Sequence, residues 1–406
     1  MASIPGFGPV VPRSKTKVGV LSRFGRDDRS SFSLWFWEID RFLLLFVTLL
    51  ISIGLIAVAA ASPAAAERYS GGGVKVNPLH YFYMQLAWVV ISVPVMLFIS
   101  TWPKDVARRV ALSGAILFAF MLVLVPFFGE EVNGARRWVG WGAARLQPSE
   151  FLKPMFVVGL AWLLSLKAQD RTLPLVPISG MITGLIALFL MKQPDFGQTV
   201  IFAAIWMTLL LLSGVNSRII GWLVGGGVAG IVCAYLFYDV ATKRINDFIF
   251  AEGDTYQTDM AHATLTAGGL FGTGPGGGQM KFRLPEAHTD YIFSVIGEEF
   301  GLIACFAIAA LYIAIVVRVF VKLLEEEDMF LLLASAGLAT QFGLQALINM
   351  AVNVQLAPSK GMTLPFISYG GSSMLALSIG FGLLLAFTRR NPYLSRSPYV
   401  SRGGGI

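Results

Sequence analysis

The residues best suited to chemistry lie just before the eighth long apolar stretch of the chain. Asp290 directly precedes that stretch, a position where an ionisable side chain is a functional candidate. Desolvation raises the pKa of a buried carboxyl, which suits a general base that takes a proton from a hydroxyl. Glu298 lies eight residues further on, near the same helical face. The titratable residues of this segment are Glu286, His288, Asp290, Glu298 and Glu299.

Each of these residues also has a purely structural interpretation. Acidic side chains are stabilised at a helix N-terminus by the helix dipole, which accounts for Glu286 and Asp290 without any chemistry. Glu298 is explained as well by structural pairing in the protein interior. We favour the functional interpretation for Asp290 and structural pairing for Glu298.

The chain that carries these residues has the composition of a membrane protein. Of its 406 residues, 55% are hydrophobic and only 14% are charged, whereas soluble domains have about 25% charged residues. This excludes an ordinary soluble enzyme, and the high apolar content excludes a disordered chain. The two cysteines are too few for a disulfide scaffold.

Ten apolar stretches predict membrane-spanning helices, which need about 20 residues for a full crossing. Barrel strands would instead alternate over about ten residues, and a helix satisfies its own backbone groups in lipid. We therefore predict an all-α polytopic membrane protein of about ten transmembrane helices with a long outer loop before the eighth. The stretches are 42–62, 82–102, 110–128, 151–166, 175–191, 198–214, 219–238, 292–320, 329–354 and 368–388.

The basic residues predict that both chain ends are cytoplasmic. The formal net charge is +7, and with this orientation 19 of the 31 Lys and Arg fall in cytoplasmic segments. No apolar segment begins near Met1, so no cleaved signal peptide is expected. The predicted regions are a disordered basic tail 1–41, a membrane domain 42–390 with the outer loop 239–291, and a cytoplasmic tail 391–406.

The remaining twelve basic residues are expected on the outer face, against the general excess of Lys and Arg on the cytoplasmic side of membrane proteins. One explanation is an anionic ligand, such as a phosphate, at the outer interface. The other is ion pairing with acids such as Glu131, Glu150 and Asp195, which the charges alone slightly favour. The outward cations include Arg136, Arg137, Arg145, Lys153, Lys281 and Lys360.

Other familiar kinds of site have little support in the sequence. The Gly-rich segment 268–278 lacks the Gly-Lys-Ser/Thr of a nucleotide loop, and it is either a loop that moves over a substrate or a flexible connector. The three His and two Cys show no metal-ligand spacing, although a loosely held Mg²⁺ leaves no clear trace. No basic patch with aromatics indicates nucleic acid, and no inverted repeat indicates a transporter.

Six segments of the chain have distinctive motifs that follow one another in order. They are Asn133-Gly-Ala-Arg-Arg-Trp138, Gln147-Pro-Ser-Glu-Phe-Leu-Lys-Pro154, Gln193-Pro-Asp-Phe-Gly197, Gly268-Gly-Leu-Phe-Gly272, Leu284-Pro-Glu-Ala-His-Thr-Asp-Tyr-Ile-Phe293 and Pro358-Ser-Lys-Gly-Met-Thr-Leu-Pro-Phe-Ile-Ser-Tyr-Gly-Gly-Ser-Ser373. With these segments the chain resembles the SEDS (shape, elongation, division and sporulation) family of bacterial peptidoglycan glycosyltransferases. The resemblance covers nearly all of residues 40–390, and the ten-span plan also matches. The basic N-terminal extension and the segment Lys360-Gly-Met-Thr363 favour the division branch over the elongation branch.

The resemblance implies an enzyme that polymerises lipid II, a disaccharide-pentapeptide on undecaprenyl pyrophosphate. An α-linked donor sugar would be transferred with inversion to the 4-hydroxyl of an acceptor, giving a β-1,4 bond. One base suffices, because pyrophosphate leaves without a proton. Asp290 falls on the family's essential aspartate, and Arg136, Lys153 and Lys360 would stabilise the leaving pyrophosphate. Supporting roles are implied for Glu286, His288, Glu150, Asp195, Gln198, Glu298, Ser368 and Ser372.

The resemblance also implies partners and a location. The expected partners are a class B penicillin-binding protein acting as transpeptidase, other division proteins and membrane lipid, with no nucleic acid. The expected location is the cytoplasmic (inner) membrane at the division septum. No cofactor is certain, and a divalent cation such as Mg²⁺ or Mn²⁺ is left open.

Two other classes of function are compatible with a polytopic chain. One is a flippase that moves lipid II across the membrane, and the other is a division scaffold without chemistry. A flippase needs a polar path to the cytoplasmic face, whereas spans such as 42–62 and 198–214 contain no charged residue. This favours the enzyme.

Overall fold

The computed structural model describes residues 31–70, 75–132, 135–140, 145–168, 170, 172–250, 256–358 and 361–389. Most of the predicted disordered tail 1–41 and all of the tail 391–406 lie outside these residues. Within the N-terminal tail, however, Ser31–Glu38 form a short helix, α1. Residues 40–388 form one unit, which contains every feature described below.

All ten predicted spans are helical, which confirms a helical multi-pass membrane protein. Among the described residues, seven helices are long and apolar enough to cross a membrane, and α7 and α13 are shorter apolar helices. The number of crossings and their orientation stay predictions. The helices are α2 Arg41–Arg68, α3 His80–Ser100, α4 Lys104–Phe128, α5 Pro148–Ser165, α6 Leu175–Lys192, α7 Phe196–Leu212, α8 Ser217–Phe237, α9 Asp239–Ile249, α10 Tyr256–Ala267, α11 Ile292–Leu323, α12 Met329–Asn353 and α13 Gly371–Phe387.

The loops contain more regular structure than the sequence indicated. The predicted outer loop 239–291 includes helices α9 and α10. Between α4 and α5 lies an antiparallel hairpin of two short strands, β1 Glu130–Val132 and β2 Ala135–Trp138. The fold is therefore helical with one small hairpin rather than strictly all-α.

The bundle is built around α12, which packs against α5, α7, α11 and α13. All but three residues of α5 and most of α13 are buried with it, and α3 covers the other side of α13. Helix α8 is the opposite case, since none of its residues is buried. The central helices converge at the end of the bundle that holds Asp290, here named the Asp290 end.

Helix α11 is interrupted at Gly301, whose φ of 83° is left-handed. Such a break removes helical partners from backbone groups on both sides of it. The Gly-rich segment 268–278 supplies replacements, because the amide of Thr273 donates to the carbonyl of Glu298 at 2.9 Å and the amide of Leu302 donates to the carbonyl of Gly269 at 3.0 Å. The segment thus completes the helix at its break.

Two buried carboxylates bond to this segment and to the residues that directly follow it. Glu298 accepts from the backbone amides of Met280 at 2.6 Å and Lys281 at 3.0 Å. Glu299 accepts from the amide of Gly276 and from the Lys281 ammonium. The segment is therefore docked against the break in α11, and its movement over a substrate stays a prediction.

Candidate active site

Asp290 lies two residues before α11, in the turn that leads into the helix. Its backbone is bonded to neighbours, whereas its carboxylate makes no hydrogen bond to any residue that the structure describes. Burial raises the pKa of Asp290 to about 7, the negative charges of Glu286 and Glu150 add to this rise, and Arg137 opposes it. A carboxyl of this kind is half ionised near neutral pH, as a general base requires.

The turn that carries Asp290 is fastened to the segment before α13. The predicted supporting residue Ser368 donates to the carbonyl of Thr289 at 2.6 Å and accepts from the amide of Leu364 at 2.7 Å. The amide of Tyr369 donates to the carbonyl of His288 at 2.9 Å. Ser372 is buried in the first turn of α13. Ser368 thus acts on the backbone beside Asp290.

Glu286 and His288 lie in the same turn and interact with tyrosines. Glu286 has a left-handed φ of 53° and accepts from the Tyr69 hydroxyl and the Thr289 hydroxyl, both at 2.8 Å. The buried ring of His288 contacts the ring of Tyr81, with 4.3 Å between centroids. Burial lowers the pKa of His288 to about 4 although Glu286 raises it, so the imidazole is neutral at neutral pH.

Glu150 and Lys153 form a buried pair in the first turns of α5. The Lys153 ammonium lies 2.8 Å from the Glu150 carboxylate and donates to the side-chain oxygen of Gln345 at 2.9 Å. The side-chain amide of Gln198 donates to Glu150 at 2.6 Å, and Ser373 lies 3.5 Å from it. The predicted pyrophosphate ligand Lys153 therefore already has two partners, one of them an anion.

Two other predicted pyrophosphate ligands, Arg136 and Lys360, and the predicted supporting residue Asp195 have different surroundings. Arg136 is exposed on β2, and its Nε lies 3.4 Å from the Glu131 carboxylate. This contact agrees with the ion-pair explanation of the outward cations. Asp195 accepts from the amide of Gln198 at 3.3 Å and caps α7. Lys360 lies outside the described residues. Its neighbour Gly361 lies beside Asp290, because a Cβ there would be 3.4 Å from Oδ2.

Arg137, which has no predicted role, joins the hairpin to the turn between α6 and α7. It donates to the carbonyls of Gln193, at 3.0 Å, and Pro194, and it lies 3.9 Å from Asp195. The hairpin is thereby held at the Asp290 end. Glu298, by contrast, is committed to the amides of residues 280 and 281, which is the structural pairing favoured above.

A row of amide side chains on α12 belongs to the site and was missed in the sequence. Gln345 links Lys153 to Thr363, donating to the carbonyl of Thr363 at 3.1 Å. Asn349 and Asn353 both donate to the carbonyl of Asp290. The available signal was polar residues at four-residue spacing inside an apolar helix. The row is Gln345, Asn349 and Asn353.

The described residues contain no group of three or more His, Cys, Asp or Glu side chains that could hold a metal ion. The open carboxylate of Asp290 is the kind of ligand that Mg²⁺ uses together with a substrate phosphate, one or two protein carboxylates being typical. Asp290 is thus compatible with a cation brought by a pyrophosphate.

Residues 40–393 match the cell cycle protein family FTSW_RODA_SPOVE, and the chain belongs to this family. Two similar proteins are each called "Probable peptidoglycan glycosyltransferase FtsW". The protein from Caulobacter vibrioides is 38% identical, with 91% of this chain and 94% of that protein covered. The protein from Trichlorobacter lovleyi is 36% identical, with 86% and 92% covered.

Two solved structures have a similar fold. One, described as "Structural coordination of polymerization and crosslinking by a peptidoglycan synthase complex", gives a TM-score of 0.69 at 22% identity, covering 86% of this chain and 97% of that chain. The other is the crystal structure of the Thermus thermophilus rod shape determining protein RodA, with a TM-score of 0.63, 24% identity, and 86% and 96% covered. The predicted fold class and family resemblance are confirmed.

Proposed function

We propose that this protein is a peptidoglycan glycosyltransferase of the FtsW type that polymerises lipid II. The observation that carries the proposal is the Asp290 carboxylate, which is buried enough to have a pKa of about 7 and is bonded to no described residue. Such a group is ready to accept a proton from a bound hydroxyl. The FtsW names of relatives at 36–38% identity support the reaction class.

In the proposed reaction, Asp290 takes the proton of the acceptor 4-hydroxyl as that oxygen attacks the donor sugar. The glycosidic bond to pyrophosphate breaks with inversion, and the pyrophosphate leaves with the electron pair. Glu286 supports this step by keeping the pKa of Asp290 high. His288 contributes shape rather than charge, because it is neutral at working pH.

Arg136 and Lys360 are proposed to stabilise the charge that develops on the leaving pyrophosphate. A direct contact from Lys153 requires it to exchange Gln345 for a phosphate oxygen. A divalent cation, Mg²⁺ or Mn²⁺, would add positive charge beside the leaving pyrophosphate. Rates measured with each cation and with a chelator test this part.

The proposed partner is a class B penicillin-binding protein that cross-links the new strands. The fold shared with a chain of a peptidoglycan synthase complex supports a partner of this kind. The proposed location is the inner membrane at the division septum, alongside other division proteins.

The test is polymerisation of lipid II by the purified protein, with and without its transpeptidase. Asp290→Asn keeps the side-chain shape but removes the base, so we expect a fall in turnover of about 100-fold or more. Asp170→Asn changes an exposed aspartate in a short loop and should leave turnover unchanged. Normal turnover in Asp290→Asn would remove the base assignment.

The rival flippase and scaffold functions are distinguished in the same preparations. A flippase would move labelled lipid II across vesicles without forming glycan strands. A scaffold would form no glycan strands, either as the unchanged protein or as Asp290→Asn. The Asp290→Asn variant would then still support growth when correctly localised.

A further inference from the structure

The two amides nearest the end of α12 hold the backbone of Asp290 from one side. The Asn349 side chain donates to the carbonyl of Asp290 at 2.8 Å and to the carbonyl of Met362 at 2.6 Å. It is 2% exposed, so no water replaces these bonds. Both donors of one rigid amide are therefore used on two separate segments of the site.

Those two segments lie against each other at the Asp290 end. One contains Asp290, and the other begins at Gly361, next to the predicted pyrophosphate ligand Lys360. Gly361 is close enough that a Cβ on it would touch the Asp290 carboxylate. Because Asn349 bonds to both, its position sets the spacing between the base and the 361–363 segment.

Asn353 has a different task, although it also touches Asp290. It donates to the Asp290 carbonyl at 3.2 Å, and its own oxygen accepts from the Ser294 amide at 3.1 Å and the Ser294 hydroxyl at 2.7 Å. The Ser294 amide lies in the first turn of α11 and also donates to the carbonyl of Tyr291 at 3.1 Å. Asn353 therefore holds the first turn of α11, and of the two amides only Asn349 bonds to both segments.

We propose that Asn349 is a positioning residue for the transfer reaction, fixing Asp290 against the 361–363 segment. This inference rests on the proposed function, in which Asp290 is the base. Misplacement of a reacting group by about 1 Å lowers rates by about 100-fold. A positioning role therefore predicts a loss of kcat with little change in KM for lipid II.

The experiment measures kcat and KM for lipid II in the transpeptidase complex, with melting temperature as a folding check. Asn349→Asp keeps the shape but replaces both donors with an oxygen, and we expect kcat to fall about 100-fold. Asn349→Ser keeps one hydrogen-bond donor, so kcat should fall less than in Asn349→Asp. Gln341→Leu is the matched control, because it removes a buried amide two turns earlier that contacts neither segment, and kcat should be unchanged.

Normal kcat in a folded Asn349→Asp or Asn349→Ser protein overturns the inference, as does an equal loss in Gln341→Leu. If Asn349→Asp does not fold, Asn349→Ser decides. Asp290→Asn separates this inference from the proposed function: normal turnover in that variant removes the base assignment itself. If Asp290→Asn has only a residual turnover, adding Asn349→Asp should not lower that residual turnover further. Both substitutions act on the same base.

Discussion

At the residue scale, the Asp290 carboxylate differs from the charged side chains near it in having no hydrogen-bond partner among the described residues. Glu286, Glu150 and Lys153 each have polar partners within 3 Å, whereas the Asp290 carboxylate has none among the described residues. Asp290 is half-buried, so its carboxylate is open to a bound hydroxyl while partial burial raises its pKa. The unusual feature of Asp290 is this combination of a raised pKa and an unbonded carboxylate.

The raised pKa of Asp290 predicts the pH dependence of the reaction. A base must be ionised, so turnover should rise with pH through a midpoint near 7. Glu286→Gln removes a negative charge that raises this pKa, so the midpoint should move to lower pH. Initial rates of polymerisation between pH 5 and 9 measure both midpoints. An unchanged midpoint in Glu286→Gln would show that the rise of turnover with pH reflects the titration of a group other than Asp290.

At the element scale, two buried charge clusters hold the ends of helices in place. The Glu150 and Lys153 pair ties α5 to α12 through Gln345. The Glu298, Glu299 and Lys281 cluster ties the segment 268–282 to the break in α11. In both cases the low dielectric of the interior makes the loss of one partner costly.

Removing one member of the α5 pair should destabilise the protein strongly. Lys153→Met leaves Glu150 buried without its cation, at a cost of about 3–5 kcal/mol. Glu150→Gln combined with Lys153→Met removes both charges and should recover much of the melting temperature. If the double variant is stable but inactive, the ammonium itself is needed for the reaction, and recovered activity would instead indicate a structural role.

The docked Gly-rich segment gives a matched pair of glycine substitutions. Gly272 and Gly276 have nearly equal φ values of 82° and 81°. A Cβ at Gly272 would lie 2.2 Å from the carbonyl oxygen of Glu299, whereas nothing lies within 4 Å of a Cβ at Gly276. Gly276→Ala should cost about 1 kcal/mol from φ alone, and Gly272→Ala several times more.

Limited proteolysis and thermal melting check this prediction. Undocking in Gly272→Ala should expose residues 268–278 to cleavage, while Gly276→Ala remains resistant. Equal behaviour of the two variants would mean that the segment is not held against α11.

At the scale of the whole molecule, a third charge cluster lies at the opposite end of the bundle from Asp290. Asp40 caps α2 and pairs with Arg318 at 3.0 Å and Lys322 at 2.9 Å, near the end of α11. Lys322 also donates to the carbonyl of Thr388 after α13 at 3.2 Å. Three helices that converge on the site are thus joined at their far ends.

Asp40→Asn should lower stability without changing the chemistry. The asparagine still caps α2, but the charge-assisted bonds are lost, at about 1.5–3 kcal/mol. Burial raises the pKa of Asp40, yet Lys322, the Leu43 amide and Arg318 together hold it below its ordinary value. Its contribution is therefore complete above about pH 4 and is lost as pH falls through the lower folded value.

Melting temperature and kcat of Asp40→Asn, compared with Asp105→Asn, measure this effect. Asp105 pairs with Arg108 on an exposed surface, where such pairs contribute about 0–1 kcal/mol. A fall in kcat for Asp40→Asn below the melting transition would instead link the far end to the site.

The sequence by itself determined the class of fold and the family, and it singled out Asp290 as the proposed base. Apolar length and the position of Asp290 before a long apolar stretch are local properties, and a helix in lipid forms from local bonds alone. The tertiary structure alone decided which polar atoms meet, such as Lys153 with Gln345 and Asn349 with Asp290. These partners lie 192 and 59 residues apart. Apolar helix surfaces can pack in many arrangements, so the chosen one becomes visible only when the helices are assembled.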